Sequence, residues 1–535
     1  MTIEERKQAA AQIADGNAVL GIEFGSTRVK AVLIDEHFAV IGEGNFEWEN
    51  TIVNGFWSYS LEDISRGLTA SYQSLKQFVW NTYQVKIHSL KAIGISAMQH
   101  GYLAFNKNAH LLVPFRTWRN TNTGKAAEEL TKLFHFNIPL RFSIAHLYQC
   151  ILNGEDHVKD IAWLSTLAGY VHWLLSGVKA VGTNEASGMF PLEEGGGQYN
   201  ERFTELFNDR VKSYGFFWRL EELLPSIVAP NQTAGALTRE GALLLDPSGD
   251  LMSGIPMCPP EGDGGTGMIA TNSISIHTGH VSAGTSVFGM LVLDHTLSSV
   301  YPEIDLVTTP DGKRVGMAHA NNCTSDINAW VGLFDDVLTR CQAMIDRGQL
   351  FTILYKAAME GESDGDGLID YPLFSGEPII GTDSGIPMFL RSPESRLTIG
   401  NFMRAMLYSS LCVFKIGMDI MLKDEKIKIT RMMGHGGLFK TPKVGQQIMA
   451  DALNVPITVM ETAGEGGAWG MAILAAYSVS KSGLSLQNYL NDKVFSQYQG
   501  STIAPDPAGV KGFDTYLDAF KRGINTESEA AARFL

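Results

Sequence analysis

A chain of 535 residues with 45% hydrophobic content is long enough to bury more than one core, because domains run to roughly 100–200 residues. Lys and Arg number 42 against 57 Asp and Glu, for a formal net charge of −15, so the chain lacks the basic face by which a nucleic-acid binder neutralises phosphate. The five cysteines are scattered with no C-x-x-C spacing, the start (Met1-Thr2-Ile3-Glu4-Glu5-Arg6-Lys7) is charged, and no uninterrupted apolar run nears the ~18 residues of a membrane span; the reading is a cytoplasmic enzyme with reduced thiols, no zinc site and no membrane partner.

Residues 4–14 have the pattern of a short amphipathic helix in an N-terminal extension, 1–17, that precedes the first strand. Apolar runs predict strands over 18–23, 28–35 and 40–44, a helix across 61–83 and a parallel strand over 90–96, a β-β-β-α-β unit. Long helices fill most of 124–178. After Pro259-Pro260 and the glycines of 262–267, a second β-β pattern begins near 274, with helices over 322–347, 398–423 and 442–453. The same plan thus occurs twice without a residue-level repeat, which predicts an α/β protein of two domains, 18–272 and 273–535.

Each half opens on a glycine hairpin that can cup a phosphate: Gly21-Ile22-Glu23-Phe24-Gly25-Ser26-Thr27-Arg28-Val29-Lys30, and Gly279-His280-Val281-Ser282-Ala283-Gly284-Thr285-Ser286-Val287-Phe288-Gly289. Glycine lets the main chain approach an anion closely, and the Ser and Thr that follow add hydroxyls to the backbone N–H groups. Candidate nucleotide contacts are therefore Gly25, Ser26, Thr27 and Lys30 in the first hairpin, and Gly284, Thr285 and Ser286 in the second.

These hairpins resemble those of the FGGY carbohydrate kinases, a family that includes xylulokinase, ribulokinase, gluconate kinase and glycerol kinase. The first matches G-x-D-x-G-T-x-x-x-K-A-x-L-x-D, with Glu23 where the family usually has Asp; the second matches S-x-G-T-S. Further similarities follow in the family's order, over about 18–478: Gly55-Phe56-Trp57-Ser58-Tyr59-Ser60-Leu61-Glu62-Asp63-Ile64, Ile93-Gly94-Ile95-Ser96-Ala97-Met98-Gln99-His100-Gly101, Pro114 to Thr123 with Trp118 and Thr123 in register, and Thr183-Asn184-Glu185-Ala186-Ser187-Gly188. The resemblance implies two actin-like ribonuclease-H-fold domains flanking an ATP and sugar cleft, and places Gln99, His100, Arg119 and Asn120 at the sugar. Glu185 either reaches the substrate or caps the next segment. Asn120 and Asn122 replace the family's common acid and Arg.

Asp263, between glycines in Pro259-Pro260-Glu261-Gly262-Asp263-Gly264-Gly265-Thr266-Gly267, is similar to the family's catalytic base, with Glu261 as fallback. A carboxylate within about 3 Å of a sugar hydroxyl takes its proton as the O–P bond forms. With Glu23, Asp263 is also a candidate partner of a nucleotide-bound Mg²⁺. Met433-Gly434-His435-Gly436-Gly437-Leu438-Phe439-Lys440 resembles the adenosine loop, which adds Gly436, Gly437 and Lys440 to the ATP contacts. Ala463-Gly464-Glu465-Gly466-Gly467-Ala468 resembles a close-packed helical segment. The resemblance implies an ATP- and Mg²⁺-dependent kinase acting on a small sugar, with the Gln99-His100-Gly101 segment leaning towards a ketopentose of the xylulose or ribulose type, and with hexuloses, deoxy sugars and gluconate still in play. A homodimer is implied by the resemblance alone. The rival reading is an actin-like ATP-binding scaffold or regulatory ATPase without sugar transfer.

Overall fold

The computed structural model describes residues 2–462 and 466–535; Ala463, Gly464 and Glu465 of the last glycine segment lie outside the described residues. Two compact units emerge, one of Met1–Ile274, Leu306–Val315 and Glu465–Gln497, the other of Ser275–Asp305, Gly316–Gly464 and Tyr498–Leu535. They are not consecutive blocks. The chain leaves the first unit near residue 274 and supplies it twice more from further along.

The first unit is built on strands β1 (Val19–Phe24), β2 (Arg28–Ile34), β3 (Val40–Glu47), β4 (Ala92–Ala97) and β5 (Glu261–Gly262), in the order β5-β4-β1-β2-β3. The β1/β2 and β2/β3 pairs are antiparallel, and β4 runs parallel to β1 and to β5. Because β1 and β4 are covered on both faces, they read as near-continuous apolar runs rather than alternating ones. Helix α1 (Leu61–Tyr83) starts on Ser60, whose hydroxyl accepts from Asp63 N–H, and buries Ile64, Leu68, Tyr72, Leu75 and Val79 at helical spacing. It lies so close to β3 that a Cβ on Gly44 would stand 2.8 Å from that of Leu75.

Three further helices of this unit are α2 (Thr183–Ser187), α3 (Asp263–Ala270) and α4 (Gly466–Ser478). Helix α4 covers the sheet face opposite α1, as the registers show: Gly21 pairs with Val32 while Gly44 pairs with Ala31, and neighbouring residues of β2 point to opposite faces. Every α4 residue from Gly467 to Ser478 is buried, the mark of a helix sunk in a core. Close approach is made by glycine on each partner. A Cβ on Gly21 would stand 2.6 Å from Ala472 N, and one on Gly470 would overlap the Thr266 carbonyl of α3.

A second sheet repeats the plan. Strands β6 (Thr278–Ala283), β7 (Val287–Val292), β8 (Asp305–Thr308), β9 (Arg314–Ala320), β10 (Arg431–His435), β11 (Ile457–Met460) and β12 (Gly500–Ile503) run in the order β8-β9-β7-β6-β10-β11-β12. As in the first sheet, an antiparallel hairpin (β6/β7) is extended by two parallel strands (β10 and β11). The helix Ile399–Asp419 packs on it, with Phe414 against Gly289. Its continuation to Asp424 makes 26 residues, long and apolar enough to cross a membrane, but 78% of its most apolar window is buried inside the protein, so it serves as a core helix.

Candidate active site

Asp263 is the first residue of α3, not part of a glycine turn. Glycine inside a helix costs up to about 1 kcal/mol per residue relative to Ala. Here Gly265 is compensated by packing, since a Cβ on it would meet the Asn184 side chain at 2.6 Å. The helix N-terminus favours a carboxylate at this position. Asp263 Oδ1 accepts from Gln99 N–H (3.1 Å) and Gly264 N–H (2.9 Å), which fixes the side chain while leaving it open to solvent. Desolvation by surrounding protein raises its pKa from the usual range, opposed by those two amides and by the charge of Arg141. The result is an oriented carboxylate whose Oδ2 has no hydrogen bond among the described residues.

The end of β4 supplies the neighbours. Gln99 Nε2 donates to the Asn184 carbonyl (2.7 Å), and His100 Nδ1 donates to the Gly188 carbonyl (3.2 Å), its ring stacked on Phe142 at 5.2 Å. Burial pushes the His100 pKa down to about 3, aided by Arg141, so the imidazole is neutral. With Nδ1 carrying the proton, Nε2 is an acceptor. Gly188 is needed here because its Cβ would stand 2.7 Å from His100 Nδ1.

Other sequence-predicted residues have different employment. Asn120 is buried and gives its amide to the backbone: Oδ1 accepts from Trp57 N–H (2.9 Å), and Nδ2 donates to the carbonyls of Trp57 (2.9 Å) and Thr117 (3.0 Å). Arg119 is exposed, its guanidinium over the Trp57 ring at 4.2 Å and bonded to Asn50. Glu185 is fully buried on α2, and its carboxyl oxygens make no well-formed hydrogen bond among the described residues, the Thr166 hydroxyl being the polar group that bears on them. Desolvation, then the nearby charges of Glu261 and Asp263, raise its pKa well above the usual range, and the Thr166 hydroxyl opposes them. Glu261 is 2% exposed and caps α2, accepting from Glu185 N–H (2.9 Å) and Asn184 N–H (3.4 Å); burial lifts its pKa to about 8 against the pull of those amides. Its oxygens serve the helix, which removes it as an alternative base.

Glu23 ends β1 beside the N-terminus of α4. Ala468 N–H donates to it, and a Cβ on Gly467 would overlap its Oε1. Burial, then repulsion from Asp263, lifts its pKa to about 7; Lys30, its cross-strand partner, opposes this. Lys30 itself lies 3.0 Å from Glu43. The turn beyond is braced by its carbonyls, with Gly25 O accepting from Trp48 Nε1 (2.7 Å) and Ser26 O from the Tyr59 hydroxyl (2.6 Å), while Thr27 faces solvent.

In the second unit the Gly284-Thr285-Ser286 turn is held the same way: Gly284 O accepts from the Thr324 hydroxyl (2.8 Å) and Thr285 O from Cys323 N–H (2.9 Å), with Thr285 exposed. Gly436 packs on Ala283 at φ +101°, a conformation and a spacing that only glycine meets. Gly437 and Lys440 are exposed beside it. His435 is neutral, its pKa lowered to about 4 by burial, and lies 5.4 Å from His280.

Two features escaped the sequence reading. Arg141, whose charge reaches both Asp263 and His100, lies in no motif. Cys150, Glu155 and His157 form a compact ligand-like cluster, but the Arg116 guanidinium stands 3.0 Å from Cys150 Sγ and 2.5 Å from Glu155 Oε2, so a fixed cation already occupies the place a metal would take.

The N-terminal domain model of the FGGY family of carbohydrate kinases matches residues 18–268, and the C-terminal domain model matches residues 279–479. A xylulose kinase of Haemophilus influenzae is 23% identical over 533 residues, covering 95% of this chain and 99% of its own. One from Lactococcus lactis subsp. lactis is 22% identical over 534 residues, covering 96% and 97%. The crystal structure of ligand-bound xylulose kinase from Lactobacillus acidophilus shares the fold, with a TM-score of 0.78 at 16% identity over 97% of this chain and all of that one. The chain belongs to the FGGY family of carbohydrate kinases and is an ATP-dependent sugar kinase with the family's two-domain, actin-like fold.

Proposed function

We propose that the acceptor is a ketopentose of the xylulose type, with Asp263 as general base. The observation that carries the mechanism is the state of that carboxylate: one oxygen fixed by two amides, the other turned to solvent beside Gln99 and a neutral His100. The xylulose assignment draws on the similar enzymes named above and on the Gln99-His100-Gly101 segment. Asp263 accepts the proton of a primary hydroxyl as that oxygen bonds to the γ-phosphorus, and the bond from phosphorus to the β,γ-bridging oxygen breaks to release ADP. The transition state is loose, so most of the acceleration comes from alignment and charge neutralisation and a smaller factor from the base.

The first unit, with Gln99 and His100, binds the acceptor and carries the base, and its Gly25-Ser26-Thr27 turn serves phosphate. The second provides Gly284, Thr285 and Ser286 for the terminal phosphates and Gly436, Gly437 and Lys440 for the adenosine. Glu23 and Asp263 fit a nucleotide-bound Mg²⁺: they are hard oxygen donors, and Asp263 raises the proton affinity of Glu23, a repulsion that a divalent cation relieves. When bound, that ion neutralises phosphate charge.

A coupled ADP-release assay over pentuloses, hexuloses, pentitols and aldonates tests the reading. Xylulose or ribulose is expected to give the highest kcat/KM, and Asp263→Ala to lower turnover by about 10²–10⁴-fold with ATP binding nearly intact. Stimulation by no sugar, or a loss of less than about tenfold in Asp263→Ala, overturns it.

A further inference from the structure

In the second unit, the helix Ser325–Arg340 is apolar over more of its circumference than the surrounding protein covers. Trp330 and Phe334, one turn apart, face inward: the Trp330 ring meets Phe402 at 5.1 Å and Phe389 at 6.3 Å, and the Phe334 ring meets Phe402 at 5.9 Å. The adjoining row, Ala329, Leu333 and Val337, runs at four-residue spacing and lies open, with Leu333 51% and Val337 50% exposed. On the flank away from the rings, Asp336 and Arg340 pair at 2.9 Å. Two more apolar residues border the same rings. Ile399 lies one turn before Phe402 on the helix Ile399–Asp419, and Leu397 precedes the Thr398 cap, the position from which an apolar side chain staples onto the fourth helical residue, here Phe402. They are 44% and 54% exposed. On the strand Met388–Arg391, the exposed Arg391 shares the face of Phe389, because alternate residues of a strand point the same way.

Leu333, Val337, Leu397 and Ile399, with the half-buried rings of Trp330, Phe334 and Phe389, make a patch of about 400 Å² at roughly 60 Å² of open apolar surface apiece. A standard interface buries about 800 Å² per partner, somewhat more than half of it apolar, so the patch fills most of that share. Its shape and charge suit a second copy of this chain. A ridge of side chains four residues apart packs into a like ridge on another helix, and a two-fold axis supplies one. With a formal charge of −15, two copies repel over most of their surfaces. This face, however, has Asp336 on one border and Arg391 on the other, and a two-fold lays each border against the opposite one. We propose that the face formed by Ala329, Leu333, Val337, Leu397 and Ile399 is an interface between two copies of this chain, bordered by Arg391 of each copy against Asp336 of the other.

Sedimentation velocity of the full-length protein from about 0.1 to 50 µM tests the proposal. The parent is expected to be a dimer at the upper end of that range. Leu333→Asp combined with Val337→Asp should raise the dissociation constant at least about 100-fold, because two carboxylates would have to be desolvated at the centre of the contact. Arg391→Glu sets like charges against each other and should raise it about 3- to 10-fold, and adding Asp336→Arg should bring association back. These charge variants also carry the test if the double aspartate variant fails to fold, which thermal melts reveal. A parent that stays monomeric at the highest concentration, a dimer indifferent to Leu333→Asp with Val337→Asp, or a charge swap that does not recover association overturns the proposal. None of these outcomes touches the choice of sugar, which the ADP-release assay decides separately.

Discussion

Gly467→Ala probes the contact that distinguishes Glu23 from the shorter Asp usual in the family. A Cβ at 467 would overlap Glu23 Oε1 and stand 2.9 Å from its Cδ and from Thr266 Oγ1, so the carboxylate that Ala468 N–H holds must leave its place. Replacing a helical Gly by Ala contributes up to about 1 kcal/mol of stability, whereas overpacking a filled site costs about 1–3 kcal/mol. A net loss of about 1–2 kcal/mol is expected. In a Glu23→Asp background the side chain retracts, the principal clash goes, and only the Thr266 contact remains. The double-mutant cycle should therefore return a coupling of about 1–2 kcal/mol, with Gly467→Ala less damaging beside Asp than beside Glu. Urea unfolding of the four proteins measures it from the transition of the first unit. A coupling under about 0.5 kcal/mol would show that the residues do not share this space.

The remaining predictions concern buried acids. Glu23 has a folded pKa near 7 against an ordinary 4.5, so between those values the folded state binds more protons than the unfolded one, and stability falls as pH rises. Without nucleotide or metal, Glu23→Gln should remove a loss on the order of 3 kcal/mol between pH 4.5 and 8; parallel stability–pH curves for variant and parent would refute this. Glu185→Gln replaces a buried carboxyl whose proton affinity is raised by its surroundings with a neutral isostere, and should leave stability at pH 7 within about 1 kcal/mol and the acceptor KM within about twofold. A tenfold rise in that KM would return Glu185 to the sugar.

Local chemistry was legible in the sequence, and assignments that depend on distant packing were not. The hairpin at Gly25 and its counterpart at Gly284 show because glycine and hydroxyl residues act within a few positions of one another. Helix α1 shows because its apolar spacing is a property of one segment. Asn120 looked like a sugar ligand because an exposed amide and one that clasps a strand have the same composition; its partner, Trp57, is 63 residues away. The cap that Glu261 places on α2 spans 76 residues. Arg141 lies in no motif. The helix that begins at Asp263 was hidden by the three glycines within it, Gly264, Gly265 and Gly267, of which Gly265 packs against Asn184.

That α4 belongs with the first unit bears on how the chain is made. A ribosome that has released residues 1–274 has exposed β1, β4 and Asp263 without the helix that roofs them, and nearly 200 more residues must emerge before it arrives. Until then an apolar sheet face stays open to other chains, the circumstance in which folding competes with aggregation. The N-terminal half expressed alone would carry every acceptor-side residue discussed above and still have no closed core to hold them.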